Sequence, residues 1–252
     1  MNRGKRGLII GIANEHSIAF GCARVLRASG AELAVTYLNT KAEPYVRPLA
    51  QQLEAQLVLP LDVEQPGQTE ALFAAVRERW GKLDFVVHSI AFAPAPDLHG
   101  RLVDASLAGF QRAMHVSCYS LIEIARCAEP LMLDGGAIVA MTFYGGEKVV
   151  PQYNLMGPVK AALDHTVRHL AFELGPRNIR VHAISPGPLR TRAGGGIDRF
   201  DELVGDAERC TPLAVPLGID DVGHTAAFLV SDGARALSAN VIHVDGGRHA
   251  VA

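Results

Sequence analysis

A tyrosine and a lysine seven residues apart, Tyr153 and Lys160, form the pair of side chains with the clearest chemical potential. On an α-helix this spacing places two residues within about 20° of one face and roughly 10 Å apart along the axis. A cofactor ribose fits between them, with Lys160 on its hydroxyls and Tyr153 facing a reacting carbonyl. A surface tyrosine and lysine can show the same spacing. Pro158 lacks a helical N–H, which predicts that the regular helix begins near it.

A turn of small residues follows the first apolar run. Gly11, Ala13 and Gly21 leave room for backbone N–H groups and a helix N-terminus to approach a pyrophosphate. Ser17 is predicted to cap that helix and to donate to a phosphate. The turn is not a G-x-G-x-x-G motif, so an ordinary turn remains the alternative. Its place in the first βα turn of the chain favours a dinucleotide site.

Later strand ends agree with a dinucleotide. Asp62 and Val63 close the third apolar run, where a carboxylate can meet an adenine amino group, and small residues at 89–93 close the fourth. The end of the second run has neither an acid for the ribose 2′-hydroxyl of NAD nor an arginine for the 2′-phosphate of NADP. Lys41 is the one nearby cation, and a lone lysine at a helix start is usually solvated. The sequence therefore favours NADH over NADPH.

Alternating strands and helices must position these residues. Strands are predicted at 7–10, 33–37, 57–61, 83–87, 137–141, 180–184 and 241–244, and helices at 17–27, 45–53, 68–80, 106–133, 154–174 and 222–230. This alternation predicts an α/β fold of the Rossmann type, a doubly wound parallel sheet of seven strands with helices on both faces. Residues 1–252 are predicted to form a single NAD-binding domain, since no linker or repeat interrupts the series.

A loop-rich segment at 186–210 departs from this pattern. Three glycines, Gly194–Gly196, precede a short amphipathic helix, and Arg190, Arg192 and Arg199 flank them. At the carboxyl end of a strand such a segment is expected to be a mobile lid over a substrate, although an ordinary surface loop is the alternative. The arginines either receive an acidic partner or bind carboxylates such as Asp198 and Asp201.

Composition excludes several classes of protein. A net charge of -2 lacks the basic footprint of a nucleic-acid binder. Four cysteines at irregular spacings, with no C-x-x-C, predict reduced thiols and neither a disulfide nor a metal site. No apolar run reaches the roughly 18 residues of a membrane span, and the N-terminus lacks a signal-peptide core. We expect a cytoplasmic protein without membrane partners.

Five segments resemble one family, the NADH-dependent enoyl-acyl-carrier-protein reductases, the divergent branch of the short-chain dehydrogenases in bacterial fatty-acid synthesis. They are residues 11–19, 88–94, the Tyr-x6-Lys pair, 183–191 and 243–247. Carbonyl-reducing relatives typically carry Tyr-x3-Lys and a serine thirteen residues before the tyrosine, where this chain has Ala140. The resemblance runs through nearly the whole chain in order.

The resemblance implies a set of site residues. Tyr153 and Lys160 are catalytic, with Tyr153 donating to the thioester oxygen of an enoyl substrate linked to acyl carrier protein. Substrate contacts fall on Ala93, Phe143, Tyr144 and Tyr153. The cofactor is held by Gly11, Ser17, Ile18, Leu38, Asp62, Val63, Ser89, Ile90, Ala91, Lys160, Leu189 and Thr191.

The family often has a second tyrosine ten residues before the catalytic one, and here Phe143 occupies that position with Tyr144 beside it. Because neighbours on a strand point to opposite faces, Tyr144 is not expected to replace the missing hydroxyl unless the loop shifts. This departure bears on substrate range and rate.

Members of the family usually form tetramers. By themselves, the long apolar stretch 114–132 and the apolar helix after Lys160 fit either an interface between subunits or a central core. The resemblance implies a homotetramer. A carbonyl reductase on the same fold is one rival function. A catalytically silent NAD-binding regulator is another, opposed by the presence of Tyr153 and Lys160 and kept open by Phe143.

Overall fold

A parallel sheet forms the centre of the protein in the computed structural model, which describes residues 1–192, 194–197, 199–213 and 215–251. Its order is β3-β2-β1-β4-β5-β6-β7. The strands are β1 (Arg6–Ile10), β2 (Glu32–Tyr37), β3 (Leu57–Pro60), β4 (Phe85–His88), β5 (Gly136–Met141), β6 (Ile179–Pro186) and β7 (Val241–Val244). The order reverses between β1 and β4, and ligands bind at the carboxyl ends beside such a switch point.

Helices connect the strands. They are α1 (Ile18–Ala28), α2 (Glu43–Gln52), α3 (Gln68–Trp80), α4 (Ala95–Leu98), α5 (Leu107–Met114), α6 (Ser120–Ala128), α7 (Met156–Leu174), α8 (Phe200–Cys210) and α9 (Ile219–Leu229). A π-helical segment, His115–Tyr119, joins α5 to α6, and short 3₁₀ turns include Tyr144–Gly146 and Gly194–Gly196. The prediction of a doubly wound α/β fold is confirmed.

Two apolar layers cover the two faces of the sheet. Leu8, Val86 and Ile138 belong to the layer that contains residues of α3, α6 and α7. Their neighbours Ile9 and Val87 belong to the opposite layer, with residues of α1, α2 and α9. Side chains alternate between the faces of a strand, so strands buried on both sides read as continuous apolar runs. That pattern made the strands predictable.

The helical stretch predicted over 106–133 is confirmed, but it is not one regular α-helix. It divides into α5, the π-helical segment, α6 and a 3₁₀ turn at Glu129–Leu131. Side-chain hydrogen bonds accompany the break. The Ser120 hydroxyl donates to the Val116 carbonyl (2.7 Å) and lies 2.8 Å from Nε2 of His88. The Ser117 hydroxyl accepts from the N–H of Phe92 (2.9 Å) and donates to its carbonyl (3.0 Å).

The start of α7 also differs from the prediction. The helix begins at Met156, not Asn154, because Asn154 has a positive φ of 38° and its side-chain amide donates to the Leu98 carbonyl (3.0 Å). Pro158 stands in the first turn, where a helical N–H needs no intrahelical acceptor, as the sequence predicted. Tyr153 therefore precedes the helix, and the prediction that Tyr153 and Lys160 share one face of a helix is wrong.

Candidate active site

The ends of β1 and β4 approach each other closely at Gly11. A Cβ on Gly11 would lie 2.1 Å from the carbonyl oxygen of Ser89, and its φ of 107° favours glycine. The backbone of the first βα turn thus lies directly against the residues that follow β4. A side chain at Gly11 would force the two strand ends apart.

Ser17 shapes the same turn in an unexpected way. It occupies the predicted N-cap position of α1, but its side chain makes no capping bond to the helix. Its hydroxyl instead accepts from the N–H groups of Ala13 and Asn14, both at 3.0 Å. The N–H groups of Ile18 and Ala19, at the start of α1, have no acceptor within the helix. They are available to an anion such as a phosphate.

Gly21 has a different role from the one predicted. A Cβ there would lie 2.4 Å from the carbonyl oxygen of Ile219. Gly21 therefore permits close packing of α1 against α9 and makes no room for a phosphate.

The other predicted cofactor residues lie along the carboxyl edge of adjacent strands. Leu38 follows β2 and is 54% exposed, whereas Val63, shortly after β3, is buried. The Asp62 carboxylate accepts the N–H of Glu64 (3.0 Å), and Ser89, Ile90 and Ala91 follow β4. Three features together fit a bound dinucleotide. They are the N–H groups at the start of α1 that have no acceptor within the helix, the close approach of Gly11 to Ser89, and the small residues after β4.

Tyr153 lies in a tightly packed position. It is 7% exposed, and a Cβ on Gly145 would lie 2.4 Å from its ring. The ring of Phe143 packs edge-on, with centroids 4.8 Å apart. Burial raises the pKa of Tyr153, and the negative charge of Asp164 raises it further. The phenol is therefore protonated at neutral pH and is a hydrogen-bond donor.

Lys160 is buried as well, at 4% exposure. Its Nζ donates to the carbonyl of Met141 at the end of β5 (2.7 Å), which anchors the α7 side chain to the sheet edge. Burial lowers the pKa of Lys160 to about 8, while the charge of Asp164 opposes that shift. Lys160 is thus charged at neutral pH, and it loses its charge when the pH rises above about 8.

The predicted substrate residues contact one apolar cluster. Ala93, Phe143 and Tyr144 pack against a buried group that includes Tyr153 and Val159. Ile197 and Leu203, from the segment expected to be a lid, pack against the same group. The structure therefore brings the predicted substrate contacts and parts of the 186–210 segment to one place.

Tyr144 does not follow the strand argument made from the sequence. Strand β5 ends at Met141, and Tyr144 begins a 3₁₀ turn, so alternation of strand faces does not apply there. The ammonium of Lys148 lies 5.5 Å from the centre of the Tyr144 ring. Phe143, not Tyr144, packs on the Tyr153 ring. The position beside Tyr153 is thus occupied by a ring without a hydroxyl.

The 186–210 segment is held by several contacts. Leu189 is buried, and the Thr191 hydroxyl accepts the N–H of Gly194 (3.0 Å). A ring nitrogen of His99 lies 2.9 Å from the Gly196 carbonyl. Arg190 pairs with Asp201, and Arg199 lies 3.8 Å from Glu202. Asp198, an expected partner of the arginines, lies outside the described residues.

Two residues near the candidate active site, Asp164 and Ser117, were not predicted from the sequence. Asp164 follows Lys160 by one helical turn, and an acid at a buried helix position was a usable signal. Ser117 gave no comparable signal, because its role depends on a contact with Phe92, distant in sequence. In the described ranges, no helix is long and apolar enough to cross a membrane.

Three features define a short-chain dehydrogenase/reductase: the order of the strands, the close approach at Gly11 in the first βα turn, and the buried tyrosine–lysine pair. The family model described as Enoyl-(Acyl carrier protein) reductase matches residues 11–249. The NADH-dependent enoyl-acyl-carrier-protein reductase 2 of Rhizobium meliloti is 46% identical over 97% of this chain and 91% of its own. The reductase of Synechocystis is 46% identical over 97% and 96%. The chain belongs to the enoyl-acyl-carrier-protein reductase family.

Solved structures agree with that assignment. The Anaplasma phagocytophilum reductase, in complex with NAD, superposes with a TM-score of 0.95 at 46% identity and covers 99% of this chain and 95% of its own. The Bacillus cereus reductase, with NADP+ and an indole naphthyridinone, superposes with a TM-score of 0.96 at 43% identity over 99% and 98%.

Proposed function

We propose that this protein is a cytoplasmic NADH-dependent enoyl-acyl-carrier-protein reductase, which reduces the 2,3 double bond of an enoyl thioester in fatty-acid biosynthesis. The observation that carries the proposal is the buried pair Tyr153 and Lys160, in the spacing of enoyl reductases. Lys160 is bonded to the carboxyl end of β5, two strands away from the β1 end where the first βα turn begins. Ala140 stands where carbonyl-reducing relatives carry serine. Full-length identity of 46% to NADH-dependent relatives supports the same activity.

The protein's side chains stabilise the charge that develops on the substrate. When bound, NADH supplies the hydride that adds to the β-carbon of the enoyl thioester. Negative charge then grows on the thioester oxygen, and the protonated phenol of Tyr153 donates to it. A preorganised donor of this kind contributes about 3–4 kcal/mol to the transition state. A proton delivered from water to the α-carbon completes the reduction.

Lys160 and the first turn hold the cofactor. The charged Lys160 binds the ribose hydroxyls and adds positive potential near the developing oxyanion. The free N–H groups of Ile18 and Ala19 take the pyrophosphate, and Asp62 takes the adenine amino group. Phe143 keeps the Tyr153 ring in place by edge packing. Lys41, in the loop after β2, is exposed to solvent. Because a solvated lysine does not hold the 2′-phosphate of NADPH in place, NADH is the preferred cofactor.

A spectrophotometric assay at the absorbance of NADH tests the proposal. We expect crotonyl and longer enoyl thioesters to oxidise NADH, with at least about tenfold lower kcat/KM for NADPH. No oxidation of NADH by any enoyl thioester would reject the enoyl reductase function and leave the carbonyl reductase and the silent NAD-binding protein as the alternatives.

The oligomer is proposed to be a homotetramer. A groove of about 580 Å³ lies between α5, the π-helical segment, α6 and α7, lined by apolar side chains such as Phe110, Tyr119 and Ile122. Phe172 on α7 is 82% exposed, and Phe228 on α9 is 42% exposed. The groove lies on the side of the sheet that carries α6 and α7, and Phe228 lies on the side that carries α9. A tetramer with two kinds of two-fold contact covers apolar surface in more than one place.

Light scattering at micromolar concentration is expected to give four times the chain mass of 26.9 kDa. Ile122→Glu should reduce the assembly, because it places a charge in the apolar groove. Leu133→Glu is the matched control, since Leu133 is 66% exposed and does not line the groove. A monomeric wild-type protein would refute the tetramer.

We take residues 1–252 as one NAD-binding domain, with 186–210 as a lid that also receives the acidic carrier protein. Complementary charge mainly raises the rate of association and makes it sensitive to salt. Arg190 and Arg199 have carboxylates nearby, so their contribution is reduced. Arg192 is exposed and lies in the same segment.

Replacing Arg192 and Arg199 with alanine is expected to lower kcat/KM several-fold for carrier-linked enoyl substrate, and more at low salt. A small enoyl thioester should react as before, because its chemistry at Tyr153 is untouched. Equal losses on both substrates would indicate a disturbed lid, and no loss on either would leave the arginines as surface charge.

A further inference from the structure

Asp164 is a buried acid that the reaction described above does not use. It follows Lys160 by four residues on α7, and residues with this spacing lie on the same side of a helix. The two side chains are 3% and 4% exposed. An aspartate is almost never fully buried unless it is paired. Yet Oδ1 of Asp164 has no hydrogen-bond partner among the described residues.

The turn after β5 closes this carboxylate from solvent. A Cβ on Gly146 would lie 2.9 Å from Oδ2 of Asp164 and 2.9 Å from the carbonyl carbon of Lys160. The preceding residue, Gly145, packs on the ring of Tyr153 in the same manner. The two glycines of this turn therefore cover both the acid and the tyrosine. In such an enclosed place a charge interacts strongly with its neighbours, because little water screens it.

Charged and titratable groups from several elements face Asp164. Lys160 and Arg168 come from its own helix, and Glu147 comes from the end of the turn after β5. Tyr153 precedes the helix, and Cys118 comes from the π-helical segment. His88 at the end of β4 faces Lys160, and its pKa is lowered to about 3 by burial, so it is neutral. Asp164 is thus the buried acid nearest to Lys160 on its own helix.

We propose that Asp164 is a positioning residue for the reaction, whose enclosed carboxylate keeps the Lys160 side chain charged where the cofactor ribose binds. This inference rests on the role assigned to Lys160 in the proposed function. Lys160 donates to the Met141 carbonyl, so Asp164 acts through its charge across the closed pocket and not as a hydrogen-bonded partner of the ammonium.

The direction of the effect follows from burial and charge. Burial lowers the pKa of Lys160 to about 8, and the negative charge of Asp164 raises it. Removing that charge must lower the pKa of Lys160 further. If NADH binding needs the charged lysine, a variant without the Asp164 charge should lose affinity for NADH at a lower pH than the wild-type protein does. At a pH where Lys160 is charged in both proteins, their affinities should be the same.

The test measures the dissociation constant of NADH by fluorescence from pH 6 to pH 9, in the absence of any enoyl substrate. Asp164→Asn is expected to bind NADH within about twofold of wild type at pH 6 and five- to tenfold more weakly near pH 8.5, for a shift of about one pKa unit. Glu173→Gln is the matched control, because it removes the same charge from an exposed position on α7. Its profile should overlay that of the wild type.

A second pair of variants keeps the test decisive if Asp164→Asn does not fold. Lys160→Met and the double variant Lys160→Met with Asp164→Asn should bind NADH equally at every pH, because the acid acts only through the lysine. A wild-type profile in Asp164→Asn, a loss that is uniform with pH, the same shift in Glu173→Gln, or weaker binding by the double variant would each overturn the proposal. Because binding is measured, the result is independent of whether the protein reduces enoyl thioesters.

Discussion

Replacing Tyr153 with phenylalanine is expected to lower kcat by about 10²–10³ while the dissociation constant of NADH changes less than about twofold. In the proposed mechanism the phenol donates only to the oxyanion that forms during the reaction. Its ring packing against Phe143 and Gly145 survives the change, because phenylalanine has the same ring. Steady-state rates at saturating enoyl thioester and a fluorescence titration with NADH measure the two quantities.

Tyr144→Phe is the matched control for that result. Tyr144 lies nine residues earlier and its ring lies by Lys148 and not on Tyr153. Its loss of a hydroxyl should cost less than about threefold in kcat. Full activity in Tyr153→Phe would show that the assignment of the donor is wrong. A large loss in Tyr144→Phe would show that its hydroxyl acts in place of the one missing at Phe143.

Gly11→Ala is expected to destabilise the protein by about 2–4 kcal/mol and to weaken NADH binding at least tenfold. The added Cβ would lie 2.1 Å from the Ser89 carbonyl oxygen, and the φ of 107° is unfavourable for alanine. The ends of β1 and β4 must then move apart, which displaces the turn that we propose binds the pyrophosphate. Urea denaturation and NADH titration measure both effects.

Gly67→Ala separates backbone strain from the clash. Gly67 also has a positive φ, 82°, but a Cβ there would meet nothing within 4 Å. We expect a loss of about 1 kcal/mol and unchanged NADH binding. If Gly11→Ala behaved like Gly67→Ala, the close approach of β1 and β4 would have no part in the cofactor site.

The strands and most helices were predictable because their signal is local. In a parallel sheet with two covered faces, strands such as 83–87 and 137–141 read as apolar runs, and their alternation with helices restricts the topology. The start of α7 was not predictable in this way. It depends on Asn154 and its bond to Leu98, which is 56 residues away in sequence.

The same distinction applies to the site. The residues of the first turn and the pair Tyr153 and Lys160 follow from spacing and from the family resemblance. In contrast, the Ser17 hydroxyl accepts from the N–H groups of Ala13 and Asn14 and does not bond to α1. That arrangement depends on the geometry of the turn and could not be predicted from the sequence. The enclosure of Asp164 depends on a turn from another element, so the sequence signalled an acid but not its surroundings.

In the proposed reaction, hydride adds to the β-carbon of an enoyl thioester and not to a carbonyl. A competition between crotonyl and 3-oxobutanoyl thioesters, with NADH deuterated at the transferred position of C4, tests it in one reaction followed by mass spectrometry and NMR. We expect one deuterium at the β-carbon of the saturated butanoyl product and unreacted 3-oxobutanoyl thioester. Deuterium in a 3-hydroxybutanoyl product, with crotonyl thioester unreacted, would contradict it.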